Sequence, residues 1–176
     1  MLPKVGSERP SRPEIEALLD LAVRAPSHHL TQPWRFYVVA GDERDRLAQA
    51  IAEEASERGI PADEAIAEGR KKVSRAPVIV VFTCLPSQEE GIEEAEELVS
   101  VAMAIQNFLI GAHASGMGAM LRTGGVAYHP SVRKNLGLVS NERVVGFVYV
   151  GYPAGERTLT ERTSAGELTT WLGWDS

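Results

Sequence analysis

Apolar residues at Ile15, Leu18, Leu19, Ala22 and Val23 recur at helical spacing and predict an amphipathic helix. Ser11, Pro13 and Glu14 supply its start signals, with a cap, a proline in the first turn and an acid near the positive dipole end. Pro26 disfavours helical geometry in the residue before it, so the helix is expected to stop near Arg24. The stretch 35–40, Arg-Phe-Tyr-Val-Val-Ala, reads as a strand ending in a Gly41-Asp42 turn. Leu47, Ile51 and Ala55 among many charges predict a surface helix over about 43–58, and 61–75 reads as a second, more polar helix or a mobile stretch. The run 76–85 has no polar alternation, which predicts a strand buried on both faces. A strand-like stretch follows at Ala119 to Arg122, a short helix at His129 to Gly137, and an apolar strand from Arg143 to Tyr152 closed by Pro153. Helices alternating with a few buried strands make the class α/β or α+β.

The segment Leu98 to Leu121 holds no charged residue over 24 positions, long enough to span a bilayer. Ser100, Gln106, Asn107, His113, Ser115 and the break at Gly116-Met117-Gly118 favour instead a helix buried in a core or a subunit interface. A chain of 176 residues rarely surrounds such a helix completely, so a homodimer built over it is expected, with no membrane contact. The acidic run Glu89, Glu90, Glu93, Glu94, Glu96 and Glu97 before it reads as a solvated helix N-terminus. The tail from Ala154 is polar until Leu168, Trp171, Leu172 and Trp174, which read as anchors docking on the body or a partner subunit.

The length corresponds to one domain over 1–176, large enough to bury a core without a disulfide or metal staple. A net charge of −6 from 18 basic and 24 acidic residues argues against a nucleic-acid partner. Cys84 stands alone inside the buried strand and reads as a small core residue, and no Cys/His spacing resembles a metal site. No apolar run of signal-peptide length opens the chain, so a reducing, cytoplasmic location is expected.

Three polar clusters are candidates for chemistry. One is the helix-to-strand loop Arg24 to Trp34, with an arginine, two histidines and a glutamine. A second is Leu121-Arg122-Thr123-Gly124-Gly125, suited to an anionic or amide edge of a ligand. The third is His113 at the end of the uncharged helix. Each residue also has a plain structural role open to it: Arg24 answers a helix dipole, and His29, His113 and His129 suit ordinary hydrogen bonding. The glycines at 116, 118, 124 and 125 close a helix and lead to a strand, the reverse of a dinucleotide fingerprint. No Ser/His/Asp set or general acid or base stands out, which favours a reaction whose chemistry a cofactor supplies.

The stretch Arg24-Ala25-Pro26-Ser27-His28-His29-Leu30-Thr31-Gln32-Pro33-Trp34 resembles the helix-end signature of the FMN-dependent nitroreductase family. The uncharged helix, the glycine-rich turn into Leu121-Arg122-Thr123-Gly124 and the strand ending at Pro153 follow in the family's order, so the likeness spans about residues 11–153, nearest the small bacterial members. The resemblance implies an α+β fold, a three-layer α/β/α sandwich around a mostly antiparallel sheet, homodimeric with FMN at the subunit interface. It implies an NAD(P)H oxidoreductase that reduces nitroaromatic or quinone-type acceptors in a ping-pong cycle, with NADH or NADPH as donor. Carried over, it places Arg24 and His28 against FMN, with Leu121, Arg122 and Thr123 lining it from the partner chain. It sets Gly111, Ala112, His113, Ala114, Ser115 and Gly116 where the nicotinamide nucleotide approaches.

Leu30 stands where the family commonly has Asn, so one polar contact to the site is absent. The family's Arg-Arg-Ser grip on the FMN phosphate falls, counting back from Arg24, just before Met1. Either the start lies further upstream or Lys4, Arg9 and Arg12 take over the phosphate. These two departures motivate a second reading, a nitroreductase-fold protein with weakened FMN binding that serves as a binding or interaction subunit.

Overall fold

In the computed structural model, residues 5–155 and 160–174 are described, so Lys4 lies outside the described residues. Four strands, β1 (Trp34–Ala40), β2 (Val78–Cys84), β3 (Gly118–Arg122) and β4 (Arg143–Gly151), make one antiparallel sheet in the order β1-β2-β4-β3. Every residue of β2 is buried, as its unbroken apolar run predicts. Because side chains alternate along a strand, Val78, Val80 and Phe82 face one layer of helices while Ile79 and Val81 face the other.

On the first face lie α1 (Arg12–Ala22) and α4 (Glu94–Ala114), which bury Ile15, Leu18, Val101, Ile105 and Phe108 against β2 and β4. On the second lie α2 (Glu43–Glu57) and α6 (Pro130–Leu136), which bury Leu47, Ile51 and Val132 against the same strands. The result is the expected α/β/α sandwich. The stretch read as helix or mobile segment is α3 (Ala62–Val73), which packs on α2 through Ala65 and leaves its polar side outward. An unpredicted single turn, α5 (Gly125–Tyr128), precedes α6. Gly124 opens it at φ 120°, a conformation side chains rarely adopt, and this is why a glycine stands there.

Helix boundaries differ from the sequence reading in two instructive places. α1 ends at Ala22, with Val23 donating to Leu19 and Arg24 to Leu21 in a closing turn, and Glu14 reaches back to bond the Ser11 N–H at 2.8 Å. α4 starts at Glu94, four residues before the uncharged segment. Glu97 is fully buried rather than solvated, its two oxygens accepting the Ser87 N–H at 2.9 and 3.2 Å. α4 is long and apolar enough to cross a membrane by composition, yet its inner face packs into the core of the sandwich. Its outer face, with Val99, Ala102, Gln106, Ile110 and His113, is exposed in the single chain. Leu168, Trp171, Leu172 and Trp174 of the tail are exposed as well. Cys84 is completely buried, and burial together with Glu97 and Glu94 pushes its thiol up to about 12.

Candidate functional site

Between α1 and β1 the backbone takes an unusual course. His29, Leu30 and Gln32 all have positive φ, at 49°, 55° and 47°, which costs energy in residues with a Cβ and persists only where surroundings fix it. The fixing contacts come from α4 and from the loop itself. The His28 N–H donates to the Ser100 hydroxyl at 3.4 Å, His28 Nε2 lies 2.9 Å from Glu96 Oε2, and the Gln32 N–H donates to the Ser27 hydroxyl at 2.9 Å. Leu30 is held outward, 78% exposed. The Thr31 hydroxyl is buried without a partner among the described residues.

The second candidate cluster lies across the sheet. Arg122 pairs with Phe147, Phe147 with Val81, and Val81 with Tyr37, so Arg122 and β1 are three strand spacings apart, about 14 Å. Arg24 and His28 precede β1 and lie beyond its Trp34 end. One chain therefore does not bring Arg24 and His28 together with Leu121, Arg122 and Thr123. The third group is separate again. Gly111 sits eleven residues along α4 from Ser100, about 16 Å, and a Cβ there would meet Leu21 Cδ1 at 2.6 Å. Ala112 is buried, whereas His113, Ala114, Ser115 and Gly116 are exposed and lead into β3 at Gly118.

Arg122 and Thr123 open onto a cleft of about 430 Å³ on the α2/α3 side of the sheet, floored by Phe147 and Tyr149. Gly124, Gly125 and Val126 form one wall, Glu54, Arg58, Glu68, Lys72 and Arg75 the other. The polar wall is a chain of ion pairs. Glu54 Oε1 lies 2.9 Å from Arg58 Nε, Arg58 Nη2 lies 2.9 Å from Glu68 Oε1, and Lys72 Nζ lies 2.7 Å from the same oxygen. The Lys72 ammonium, helped by Arg58, holds the Glu68 carboxyl below the usual carboxylate range. Arg75 and Arg122 make no side-chain ion pair among the described residues, and both are exposed. Burial raises the Tyr149 phenol, and the two arginines pull it partly back.

Glu54 is the anomaly in this wall. It is 8% exposed, and its Oε2 is buried with no hydrogen-bond partner among the described residues. An unsatisfied buried acceptor of this kind costs about 1–3 kcal/mol. Apart from Arg122, Thr123 and the glycines, the sequence reading missed this cleft. Glu54, Glu68 and Lys72 sit on helices, and Arg58 just past the end of α2, where many charges read as solvated surface, and only the packing of α2 on α3 gathers them.

His129 is placed outside the cleft as a helix cap. Its Nδ1 accepts from the Ser131 N–H at 3.3 Å and its Nε2 lies 2.9 Å from Glu57 Oε2. Ser131, His129 and Glu57 thus line up like a hydrolytic triad, but the Ser131 hydroxyl is buried and donates to the Ala50 carbonyl at 2.6 Å. Its proton is committed to joining α6 to α2. No group of three or more His, Cys, Asp or Glu side chains suited to a metal occurs among the described residues.

Comparison with known proteins bears on what such a cleft holds. Residues 4–152 match the model of the nitroreductase family. An Escherichia coli protein named as an NAD(P)H nitroreductase, YdjA, is 29% identical over 150 residues, covering 85% of this chain and 81% of the relative. The crystal structure of a nitroreductase-like family protein from Bacillus cereus superposes with a TM-score of 0.83 at 22% identity, over 98% of this chain and 90% of that one. The FMN-dependent nitroreductase NfnB of Mycobacterium smegmatis, solved in complex with NADPH, gives 0.76 at 22% identity, over 97% and 93% of the two chains.

Proposed function

This chain belongs to the nitroreductase family, and from that premise we propose that it is an FMN-dependent NAD(P)H oxidoreductase reducing nitroaromatic or quinone-type acceptors. The observation that carries the reading is the cleft beside Arg122. It offers an apolar floor of Phe147 and Tyr149 beside two guanidinium groups, Arg75 and Arg122, that have no ion-pair partner among the described residues. That floor and donor set fit a planar, anion-bearing heterocycle such as FMN. When bound, FMN supplies the two-electron relay, taking hydride from NADH or NADPH and passing electrons to the second substrate in a ping-pong cycle.

The protein's part is binding, orientation and electrostatics. Arg122 and Arg75 offer positive charge to the side of the ligand that gains electron density. Phe147 and Tyr149 exclude water beneath the ring. The Gly124–Gly125 backbone allows close approach because no side chain intervenes.

A homodimer completes the site in this reading. Arg24 and His28 lie three strands away from Arg122 in one chain, so they reach a flavin at Arg122 from a partner. The uncovered apolar face of α4, with Val99 and Ile110, and the exposed tryptophans of the tail are the surfaces such a partner would cover. The exposed 113–116 turn is assigned to the approach of the nicotinamide nucleotide. The single buried thiol suits a reducing cytoplasm.

The purified protein is expected to bind FMN with a spectral change, to bleach that spectrum on adding NADH or NADPH, and to recover it with a nitroaromatic. Absence of FMN binding and of turnover would overturn the reading. Saturable FMN binding at micromolar affinity or tighter would count against the alternative, a non-catalytic interaction subunit.

A further inference from the structure

Three tyrosines lie in or beside the sheet, and their hydroxyls are used differently. Tyr37 donates to Glu142 at 2.9 Å, and Tyr152 donates to Glu14. Tyr149 is 6% exposed, lines the cleft, and donates to no group among the described residues. Its hydroxyl is not sealed, because only the Thr31 hydroxyl and Glu54 Oε2 are both unpartnered and shut off from solvent among the described residues. The opening left to it is onto the cleft that Tyr149 lines. β4 runs between β2 and β3, so Tyr149 has Ile79 on one side and Met120 on the other. Arg75 leads into β2 and Arg122 ends β3, and the charges of both reach the phenol. Burial outweighs their pull, so the phenol keeps its proton at neutral pH. Guanidinium groups donate only, and the cleft carboxylates Glu54 and Glu68 are engaged by Arg58 and Lys72. This corner therefore gathers three side-chain donors and no side-chain acceptor to serve them, the complement of a ligand edge that carries negative charge.

We propose that the Tyr149 hydroxyl donates a hydrogen bond to the pyrimidine edge of the bound flavin that carries N1 and the C2 carbonyl, with Arg75 and Arg122 on either side. The inference rests on the flavin reading above and adds a residue that tunes the ring. Hydride from the nicotinamide delivers two electrons and one proton to the ring at N5 and leaves the nicotinamide as its cation. The reduced ring thereby gains one negative charge, which collects at N1 and the C2 carbonyl. A bond to that edge is stronger after reduction than before, because its acceptor has become charged. Tyr149 keeps its own proton throughout, and its effect is to raise the midpoint potential of the bound flavin.

Tyr149→Phe keeps the aromatic floor and removes only the hydroxyl, and a thermal melt checks its fold. In the full chain this substitution should weaken binding of oxidised FMN by about threefold to fivefold, and of reduced FMN, titrated without oxygen, by about tenfold or more. The midpoint potential of the bound flavin should fall accordingly. 2-Thio-FMN, which carries sulfur, a poorer acceptor, in place of the C2 oxygen, locates the bond. The unsubstituted protein should prefer FMN over 2-thio-FMN by a larger factor than Tyr149→Phe does. Equal weakening of both redox forms with an unchanged potential, or the same discrimination against 2-thio-FMN in both proteins, would overturn the role of Tyr149 and leave the flavin reading standing. Failure of the unsubstituted protein to bind FMN in either form would instead remove the flavin reading itself.

Discussion

Gly69 of α3 lies directly against the carbonyl of Ala48 on α2: a Cβ at position 69 would be 2.2 Å from that oxygen. The two helices can be this close only because position 69 has no side chain, and their closeness is what assembles the ion-pair wall of the cleft. Backbone, unlike the end of a flexible side chain, cannot swing aside. Gly69→Ala should therefore force the helices apart at a cost of about 3 kcal/mol, the upper end of overpacking penalties. Urea unfolding should show the lowered midpoint, and FMN titration a weaker ligand affinity because Glu68 and Lys72 move with α3. An unchanged midpoint would show that the contact is slack.

Arg122→Ala should weaken FMN binding by about tenfold or more, through loss of a charge-assisted bond, whereas His129→Ala should leave affinity within about twofold. His129 caps α6 and stands away from the cleft, so its removal should appear in the melting temperature instead. Equal effects on FMN affinity would place the ligand elsewhere.

Glu68 gives the cleft wall a pH dependence. Its carboxyl is held below the usual range by Lys72 and then Arg58, so the folded state binds its proton less readily than the unfolded state does. The stabilisation is fully present above the unfolded carboxylate range, near pH 4, and is lost as pH falls through the lower folded value. Thermal unfolding measured from pH 6 down to pH 3 should show a steeper loss in the unsubstituted protein than in Glu68→Gln. Parallel curves would remove Glu68 from the account.

Cys84 should be chemically silent in the native protein. Its side chain is fully buried and its thiol is pushed up to about 12, so thiolate is scarce at pH 8. Iodoacetamide at pH 8 should label it only after denaturant is added. Rapid labelling of the folded chain would contradict the buried position.

The sheet could be read from the chain because β2 and β4 are apolar runs buried on both faces, a signal no surface segment imitates. The start of α1 was equally plain, since Ser11, Pro13 and Glu14 are local signals and act within one turn. Glu97 misled because helix-start acids are normally solvated, and only the fold brings the Ser87 N–H to meet it. α5 left no periodic trace in its four residues. The cleft showed the same limit more sharply. Arg122 and Thr123 announced themselves beside a glycine turn, but Glu54, Arg58, Glu68 and Lys72 become one wall only after α2 and α3 pack. Charge on a helix face carries no mark of which neighbour it will meet.

The three-strand gap between the His28 loop and Arg122 carries a consequence for how the proposed enzyme would respond to dilution. A binding site whose halves come from two protomers has an occupancy coupled to association by mass action. As the concentration drops towards the dissociation constant of the dimer, flavin and partner should leave together, and specific activity should fall with the enzyme rather than remain constant. Added FMN should in turn hold the protomers together. Assays run at nanomolar protein and spectra taken at micromolar protein would then sample two different populations of the same chain.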